Sequence, residues 1–307
     1  MDREITLALA GDTMLGRGVA EAIAAGEPLL DADVVALAAE ADLFLLNLEC
    51  CISDGGAPWA APGKPFFFRA PPRAAELLAG WGVDCVTLAN NHALDYGVRA
   101  LLDTLAHLDA AGVAHVGAGA DERQARRPRT LAHGVTVVAA TDHPADFAAG
   151  PDRPGVAYAD LERGVPGWLA VPGALALVHW GPNMTATPVR HVRRAADALR
   201  AAGVRLVAGH SAHVPHGAAD RVLHDLGDFL DDYAVDRRLR NDLGLLFLVT
   251  LAGDRIEAEA VPLALDFCHT RLATGADAAR VADRFARACA ALGADADVTR
   301  GRARVQL

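Results

Sequence analysis

Side chains that carry chemistry recur where short apolar runs of this sequence end. Asp12 follows ITLALAG, Glu49 follows ADLFLLNL, and His92 follows VDCVTLANN. His179 and His210 follow two later runs of the same kind, ALALV and VRLVAG. Carboxylates and imidazoles bind divalent metals, and imidazoles also exchange protons near neutral pH. The pattern therefore predicts one polar site, assembled from several strand ends, for metal binding or acid–base chemistry.

The elements that must position these groups are strands and helices in alternation. The apolar runs, VTVVAATD among them, are nearly continuous, which is typical of strands that are covered on both faces. Helical patterns such as VRALLDTLAHLDAAGV and VRHVRRAADALRAAGV lie between them, and both stop near Ala-Gly. This alternation predicts a layered α/β fold. In open α/β sheets ligands bind beyond the carboxyl ends of the strands, where the polar residues stand.

Two stretches interrupt the alternation, residues 53–73 and residues 142–168. Long loops inside a compact domain are often functional, and we expect the first to lie over the site. After residue 242, LGLLFLVTLAG and RIEAEAVPLAL predict a strand pair with a turn at Gly253-Asp254. A helix is predicted over about residues 277–292, followed by a short basic tail.

Composition limits the classes of partner. The chain has 307 residues, of which 52% are hydrophobic and 22% charged, and a formal net charge of -10. The length fits one large α/β domain, with or without a small appendage. An acidic chain has no basic face for nucleic acid and gives no reason to expect an anionic membrane as partner. The acids before the first apolar run do not match a signal peptide, and no run reaches about 18 apolar residues, so we expect a cytoplasmic protein.

The cysteines are Cys50, Cys51, Cys85, Cys268 and Cys289. An odd number without a C-x-x-C pair argues against a disulfide framework or a zinc knuckle. We therefore expect buried free thiols in a reducing compartment.

Five motifs resemble, in order and spacing, those of the CapA-like family: AGDTMLGR, NLE, LANNHALDYG, HWG and GHSAHVPHG. That family is named for bacterial poly-γ-glutamate capsule biosynthesis and belongs to the calcineurin-like metallophosphoesterase superfamily. The resemblance covers roughly residues 5–235 and implies a calcineurin-like four-layer sandwich, with two mixed β-sheets flanked by helices. It further implies a metal-binding catalytic domain over residues 1–245, which residues 246–307 complete as part of the same domain.

The resemblance also implies roles for single residues. The implied metal ligands are Asp12, Glu49, Asn91, His179 and His210. His92 matches the catalytic histidine that follows the asparagine ligand.

Three departures from the family pattern weaken one metal position. Met14 stands where the superfamily usually has a histidine, and Asn47-Leu48-Glu49 replaces Gly-Asp-x-x-Asp. Asp228 stands where CapA relatives often have asparagine. These departures predict one well-held divalent ion, Ca²⁺, Mg²⁺ or Mn²⁺, and leave a second ion open.

Two histidines and two aspartates are candidate catalytic residues: His92, Asp95, His213 and Asp228. A histidine that is oriented by an aspartate is the usual acid–base unit near neutral pH. Two such pairs beside a metal could activate water for hydrolysis, or exchange the proton of a Cα between its two faces. Some CapA-like proteins that are encoded beside ribosomal peptide genes resemble this chain and act as peptide epimerases, including at the C-terminal residue of lasso precursors.

The leading hypothesis is a metal-dependent peptide epimerase, an isomerase that inverts the Cα of a C-terminal residue in a ribosomal precursor peptide. One alternative is a metal-dependent hydrolase, acting on phosphoesters or on poly-γ-glutamate-type amides. The other is a non-catalytic accessory protein of capsule biosynthesis.

Four residues are candidate substrate contacts: Arg17, Lys64, Arg69 and Trp180. Lys64 and Arg69 flank three consecutive phenylalanines, and a cation beside aromatic rings suits a peptide with a free carboxylate and a bulky side chain. Solvation of the loop is the simpler explanation for these two cations, and burial in the core is the simpler one for Trp180. The expected partner is such a peptide, without nucleic acid or membrane.

Overall fold

The computed structural model describes residues 4–60 and 63–307. The helices are α1 (Arg17–Ala25), α2 (Ala32–Ala38), α3 (Arg73–Gly80), α4 (Gly97–Ala111), α5 (Glu122–Ala125), α6 (Arg190–Ala201) and α7 (Gly275–Ala290). Short 3-10 helices cover Ala132–Gly134 and Ala145–Phe147. None of the helices in the described part of the chain combines the length and the apolar character that crossing a membrane requires.

The strands are β1 (Ile5–Thr13), β2 (Leu43–Leu48), β3 (Cys51–Ile52), β4 (Arg69–Ala70), β5 (Cys85–Thr87), β6 (Ala114–Val116), β7 (Ala118–Gly119), β8 (Arg129–Thr130), β9 (Thr136–Thr141), β10 (Gly155–Val156), β11 (Leu175–His179), β12 (Leu206–His210), β13 (Ala218–Ala219), β14 (Val222–Leu223), β15 (Asp228–Leu230), β16 (Leu243–Ala252), β17 (Arg255–Leu265), β18 (Thr270–Leu272), β19 (Ala296–Thr299) and β20 (Arg302–Gln306).

Two mixed sheets carry the fold. The large sheet has the order β19-β20-β17-β16-β1-β2-β5-β6, with β15 paired to β1 and β18 paired to β17. Its strands β1, β2, β5 and β6 run parallel, whereas β16 is antiparallel to β1. The small sheet has the order β13-β14-β12-β11-β9-β8, with a parallel centre and antiparallel outer strands. Two further two-stranded sheets pair β3 with β4 and β7 with β10.

Alternate side chains of β1 pack into two different hydrophobic cores, one on each face of the large sheet. Leu7 and Leu9 pack in the core between the sheets, together with Leu177 from the small sheet. Ala8, on the opposite face of β1, packs in a second core formed with helices of the first half of the chain. Helix α6 covers the outer face of the small sheet, for example through Leu199. The protein is thus the predicted calcineurin-like α/β sandwich of four layers, helix, sheet, sheet and helix.

The six predicted apolar runs form β1, β2, β5, β9, β11 and β12, and the predicted strand pair forms β16 and β17. The turn between β16 and β17 lies at Gly253-Asp254, as expected. Residue 245, the boundary between the two ranges predicted from the sequence, lies inside β16. Strand β16 pairs with β1, with Ile5 to Leu9 opposite Leu251 to Phe247. The C-terminal residues therefore extend the large sheet directly beside the strand that carries Asp12.

The prediction of a basic tail was wrong. Residues after α7 form the hairpin of β19 and β20, and β20 pairs with β17. Ala303 and Val305 alternate with polar residues and are buried in the core between the sheets. Arg300 and Gly301 have positive φ, as a tight turn requires. The helix before it, α7, begins and ends two residues earlier than predicted, and the 53–73 loop contains the short strand β4.

All five cysteines are free, as expected, but they are not all buried. Cys268 is partly exposed, whereas the other four are buried. Burial raises the pKa of the Cys51 and Cys85 thiols to about 12. Burial also raises the pKa of the Cys268 thiol to about 11, with help from the carboxylates of Asp232 and Asp231.

Thiol reactivity should follow this burial. At about pH 8, Ellman's reagent is expected to modify Cys268 alone in the native protein, and slowly, because the thiolate is the reactive form. In concentrated guanidinium chloride all five thiols should react. The Cys268→Ser variant should show no native reactivity. Rapid modification of more than one native thiol would contradict the burial of the other four.

Candidate metal centre and acid–base pairs

The two sheets bring their polar strand ends together. In the large sheet, Asp12 of β1 lies beside Asn47 of β2 and Asp228 of β15. In the small sheet, His179 of β11 lies beside His210 of β12. Oδ1 of Asp12 is 3.9 Å from Nδ1 of His179 and 3.5 Å from Nδ1 of His210. Five strand ends therefore meet at one place between the sheets.

Gly11 permits the close approach of β15 to β1. The backbone N–H of Asp12 donates a hydrogen bond of 2.8 Å to the carbonyl oxygen of Gly227, just before β15. A Cβ on Gly11 would lie 1.8 Å from that same oxygen. Only glycine therefore fits before Asp12, and this contact places Asp228 next to Asp12.

The Gly11→Ala substitution is expected to destabilise the fold at this contact. Overpacking a well-packed interior costs about 1–3 kcal/mol, and occasionally more. Urea unfolding followed by circular dichroism measures the change. The matched control is Gly80→Ala at the end of α3, where a Cβ meets nothing within 4 Å and should be neutral or slightly stabilising. Equal stability of Gly11→Ala and the wild type would refute the close packing of β15 on β1.

Several buried polar atoms at the strand ends have no hydrogen-bond partner among the described residues. They include Oε1 of Glu49, Oδ1 of Asn91, Nε2 of His179, and both ring nitrogens of His210. A buried polar atom without a partner costs about 1–3 kcal/mol, so a cluster of them needs an explanation. Oxygen and imidazole nitrogen atoms of this kind are metal ligands. The residues present therefore fit a divalent cation.

Two groups of potential ligands share Asp12. In the first group, Asp12, Glu49 and His179 each offer a ligand atom within 4.8 Å of the others. In the second group, Asp12, His213 and Asp228 do the same. Two members of the second group, His213 and Asp228, are residues that the sequence predicted for acid–base chemistry.

A chain of amides holds the ligand-bearing strands in position. Nδ2 of Asn47 donates to Oδ1 of Asp12 at 2.6 Å, and Oδ1 of Asn47 accepts from Nδ2 of Asn90 at 2.9 Å. Oδ1 of Asn90 in turn accepts from the backbone N–H of His92 at 3.0 Å. The sequence assigned no role to Asn47, which lies in β2, or to Asn90, which follows β5. They are buried positioning residues.

The first acid–base pair is His92 with Asp95. Nδ1 of His92 is 2.6 Å from Oδ2 of Asp95. Because a carboxylate only accepts, Nδ1 carries the proton and Nε2 keeps its lone pair. Burial lowers the pKa of His92 to about 4, and the opposing effect of Asp95 is smaller. Nε2 of His92 lies 3.9 Å from Oε1 of Glu49, so the His92 imidazole borders the first ligand group.

The second pair is His213 with Asp228. Nδ1 of His213 is 2.7 Å from Oδ1 of Asp228 and 3.5 Å from Oδ2 of Asp12. Burial acts to lower the pKa of His213, but the carboxylates of Asp228, Glu49 and Asp12 together raise it well above its ordinary value. The pKa values of the two imidazoles are therefore shifted in opposite directions, downward for His92 and upward for His213.

An aromatic row, formed by Phe68 and Tyr233, links the two pairs. The ring of Phe68 lies 4.1 Å from that of His92, and the ring of Tyr233 lies 5.3 Å from that of His213. The rings of Phe68 and Tyr233 are 5.8 Å apart. The hydroxyl of Tyr233 also donates to Oε2 of Glu49 at 3.4 Å. The imidazoles thus lie at opposite ends of the row, beside a metal ligand.

Known proteins are similar to this chain over most of its length. A model of the family described as bacterial capsule synthesis protein PGA_cap matches residues 6–233. The chain belongs to this family. A probable polyglutamine synthesis accessory protein of Mycobacterium tuberculosis is 31% identical, over 89% of this chain and 88% of that protein.

Two CapA proteins of Bacillus match more distantly. The PGA biosynthesis protein CapA of Bacillus subtilis is 29% identical over 55% of this chain and 48% of its own length. The capsule biosynthesis protein CapA of Bacillus anthracis is 22% identical over 75% and 61%. The CapA-like resemblance of the motifs is confirmed, and the span matched by the PGA_cap model contains the ligand group, both acid–base pairs and the aromatic row.

In this PGA_cap protein, Arg17 lies at the aromatic row. Its Nε is 3.2 Å from Oδ2 of Asp232, and its guanidinium lies 5.7 Å and 5.8 Å from the ring centroids of Phe66 and Phe68. The Arg17 side chain is 41% exposed, so it is partly open to solvent beside the aromatic row.

The other proposed substrate contacts have partners within the protein. Nζ of Lys64 lies 2.9 Å from both Oδ1 of Asp95 and the carbonyl oxygen of Asn91, so the 53–73 loop lies against the first acid–base pair. Arg69 stacks 4.2 Å from the ring centroid of Tyr96.

Trp180 lies in the hydrophobic core beneath α6 rather than at the wall of the site. Its indole N–H donates to the carbonyl oxygen of His224 at 3.0 Å. The structure therefore brings Arg17 and Lys64 to the site and places Trp180 away from it.

Proposed function

We propose that this protein is a metal-dependent peptide epimerase that inverts a Cα centre by two-base chemistry. The main support for this proposal is the position of two buried His–Asp pairs at opposite ends of the aromatic row, beside the first ligand group. Inversion at carbon requires one group that removes a proton and another that returns a proton to the opposite face. Two oriented imidazoles whose pKa values are shifted in opposite directions meet this requirement.

The two histidines act in turn on opposite faces of Cα. In one direction, Nε2 of neutral His92 takes the proton from Cα, and the electron pair of the broken C–H bond moves toward the adjacent carbonyl. Protonated His213 then delivers its proton to the other face of Cα. Asp95 and Asp228 hold the two rings through their Nδ1 atoms and stabilise the charge on whichever ring is protonated.

The ion would be held by the first ligand group, Asp12, Glu49 and His179, together with Asn91 and His210. When bound, a divalent cation supplies positive charge that stabilises negative charge developing on the substrate carbonyl. Arg17 is the proposed contact for a free carboxylate of the peptide, because its guanidinium is partly exposed beside the aromatic row.

Exchange in D₂O tests this function. Peptides that end in different amino acids are incubated with the Mn²⁺-loaded protein, then hydrolysed for chiral analysis and mass spectrometry. The expected result is one deuterium at a single Cα, together with the appearance of the D residue. Absence of both in every peptide would overturn the epimerase proposal.

A metal-dependent hydrolase is the second candidate, and the second ligand group favours it. Asp12 belongs to both groups, and a shared carboxylate is suited to a two-metal site for hydrolysis. The relatives are named for polyglutamine synthesis and PGA biosynthesis, which suggests poly-γ-glutamate as a substrate or, for a non-catalytic accessory protein, as a ligand. Binding of two equivalents of Mn²⁺, with release of glutamate from poly-γ-glutamate or of phosphate from esters, would support the hydrolase. Binding of polyglutamate without turnover would support the accessory role.

A further inference from the structure

Asp95 is the residue on which the 53–73 loop docks at the first acid–base pair. Its backbone carbonyl oxygen accepts from the N–H of Trp59 at 2.8 Å, and its Oδ2 accepts from the N–H of Phe68 at 2.6 Å. Its Oδ1 lies 2.9 Å from Nζ of Lys64. Three residues of the loop therefore contact the aspartate that orients His92.

The contact between Lys64 and Asp95 is a buried ion pair. The Lys64 side chain is 13% exposed, and that of Asp95 is fully buried. Oδ1 of Asp95 has no hydrogen-bond partner among the described residues, so charge rather than a linear hydrogen bond joins the two groups. Nζ of Lys64 does donate a hydrogen bond of 2.9 Å to the carbonyl oxygen of Asn91. One ammonium thus contacts both the residue before His92 and the carboxylate that holds its ring.

Aromatic rings complete the surroundings of the ammonium. Nζ of Lys64 lies 5.3 Å from the ring centroid of Phe147 and 5.8 Å from that of Phe67. The ring of Trp59 packs edge-on against that of Phe147 at 5.2 Å. A substrate carboxylate could reach this cation only by displacing Asp95. The contacts therefore favour a role within the protein over direct contact with substrate.

Lys64 is the only lysine among the 29 lysine and arginine residues of the chain. All the other positions of this kind are arginine. An ammonium is a compact charge with three donors, whereas a guanidinium is a planar fork. A compact cation suits a place that is enclosed by a carboxylate, a carbonyl oxygen and ring faces. The composition thus sets Lys64 apart from the cations that solvate the surface.

We propose that Lys64 is a positioning residue, which holds the 53–73 loop on Asp95 and thereby fixes the orientation of His92. Its charge offsets that of the Asp95 carboxylate, which would otherwise be buried without a compensating cation. Oδ2 of Asp95 then stays at Nδ1 of His92 and keeps the ring in one orientation. The inference rests on the proposed function in that His92 is taken as the base for one face of Cα.

Kinetics on the two faces of Cα separate positioning from substrate contact. Lys64→Met and the wild type, both Mn²⁺-loaded, are incubated in D₂O with Gly-Gly-Gly-Leu peptides that end in different amino acids, each with an L or a D terminal residue. Exchange on the face of His92 should lose about tenfold in kcat with little change in KM, because removal of a supporting contact costs about 10–100-fold. Exchange on the face of His213 should stay as in the wild type. Loss of a substrate contact would instead raise KM for both forms.

Further variants test whether the charge is what matters. Lys64→Arg keeps the charge and should recover part of the lost rate. Lys64→Gln keeps a donor for the Asn91 carbonyl without the charge, so it should lose the rate as Lys64→Met does. The control is Arg163→Met, which removes a cation 3.1 Å from Asp160 whose side chain is 88% exposed. It should react as the wild type does, because exposed ion pairs contribute little.

Hydrogen exchange of the loop tests the docking without any turnover. Peptic fragments that contain Trp59 or Phe68 are followed by mass spectrometry, because both backbone N–H groups bond to Asp95. They should take up deuterium at least about tenfold faster in Lys64→Met and Lys64→Gln than in the wild type, as the loop opens locally. Fragments from α7 should be unchanged, which excludes a general loss of the fold.

Unchanged uptake in the loop fragments would overturn the proposal, whether or not the protein epimerises. A higher KM with unchanged kcat, an equal loss on both faces, or an equal loss in Lys64→Arg and Lys64→Met would overturn it as well. Faster uptake in the variants, together with no exchange at Cα by the wild type, would refute the epimerase and support Lys64 as the residue that holds the loop.

Discussion

Replacement of His213 by asparagine is expected to slow net inversion at Cα strongly while proton exchange continues on one face. Asparagine retains a donor toward Asp228, which contacts Nδ1 of His213 at 2.7 Å, but it cannot carry a proton to carbon. His92 remains able to remove and return a proton on its own side. General acid–base groups contribute about 10²–10⁴-fold, so inversion should fall by that factor.

The complementary variant, His92→Asn, should show the reverse stereochemistry. Each variant is incubated in D₂O with the L and the D form of the same peptide, and deuterium at Cα is followed separately from inversion. His213→Asn should exchange one form with retention, and His92→Asn should exchange only the other. Loss of exchange in both forms, or full inversion by either variant, would contradict the assignment of one imidazole to each face.

A matched control separates these losses from misfolding. His224 is a buried histidine outside the site, with Nδ1 3.1 Å from the carbonyl oxygen of Gly217. The His224→Asn variant should keep both inversion and exchange. If it lost inversion as fully as the site variants, the effect would come from the fold rather than from the acid–base pairs.

The strand ends could be predicted because their signal is local. Strands β1, β2, β11 and β12 are buried on both faces, so each appears in the sequence as an apolar run that stops at a polar residue. Asp12, His179 and His210 stand at such stops. Once strand–helix alternation implies parallel strands, the meeting of their carboxyl ends follows from the geometry of the sheet.

The amide and aromatic supports of the site could not be predicted in the same way. Asn47 contacts Asp12, which is 35 residues earlier, and Tyr233 contacts Glu49, which is 184 residues earlier. Asparagine beside a turn is usually a turn former, and a tyrosine after a strand has no distinctive spacing. The partner that gives each of them a role is brought near only by the packing of the two sheets.

Trp180 shows how sequence adjacency misleads at a strand end. Successive side chains of a strand lie on opposite faces of the sheet. Val178 and Trp180 belong to the core under α6, whereas Leu177 belongs to the core between the sheets. His179 shares the face of Leu177, so it reaches the site while its neighbour faces the helix.

The sequence of the C-terminal hairpin contains a strand pattern, but its arginines led to the prediction of a basic tail. In β20, Ala303 and Val305 alternate with Arg302, Arg304 and Gln306, which is the pattern of a strand with one buried face. The arginines on the other face pair with Glu259 of β17, at 3.1 Å for both Arg302 and Arg304. Only the neighbouring strand makes the basic residues part of a sheet rather than a solvated tail.

Removal of the shared carboxylate is expected to abolish stabilisation by metal. Asp12 belongs to both ligand groups, so Asp12→Ala removes an oxygen ligand from each. A ligand at about a hundredfold its Kd stabilises a protein by about 2.7 kcal/mol, and adding Mn²⁺ should raise the unfolding free energy of the wild type by about that amount. The variant should show little or no gain, and metal analysis after dialysis should find its content reduced.

In the metal-free protein the same substitution has two opposing effects. Burial raises the pKa of both Asp12 and Glu49, so removal of Asp12 relieves the cost of holding two carboxylates together without a cation. It also leaves the side chain of Asn47 and the backbone N–H of Ser211 without the acceptor that Asp12 provides, at a cost of about 1–3 kcal/mol each. The gain in unfolding free energy on adding Mn²⁺, rather than the stability of the metal-free variant, therefore isolates the loss of the ligand. Asp54→Ala, which removes an exposed acid, is the control and should keep the full response to Mn²⁺. An undiminished response in Asp12→Ala would show that the ion binds without the residue on which both ligand groups depend.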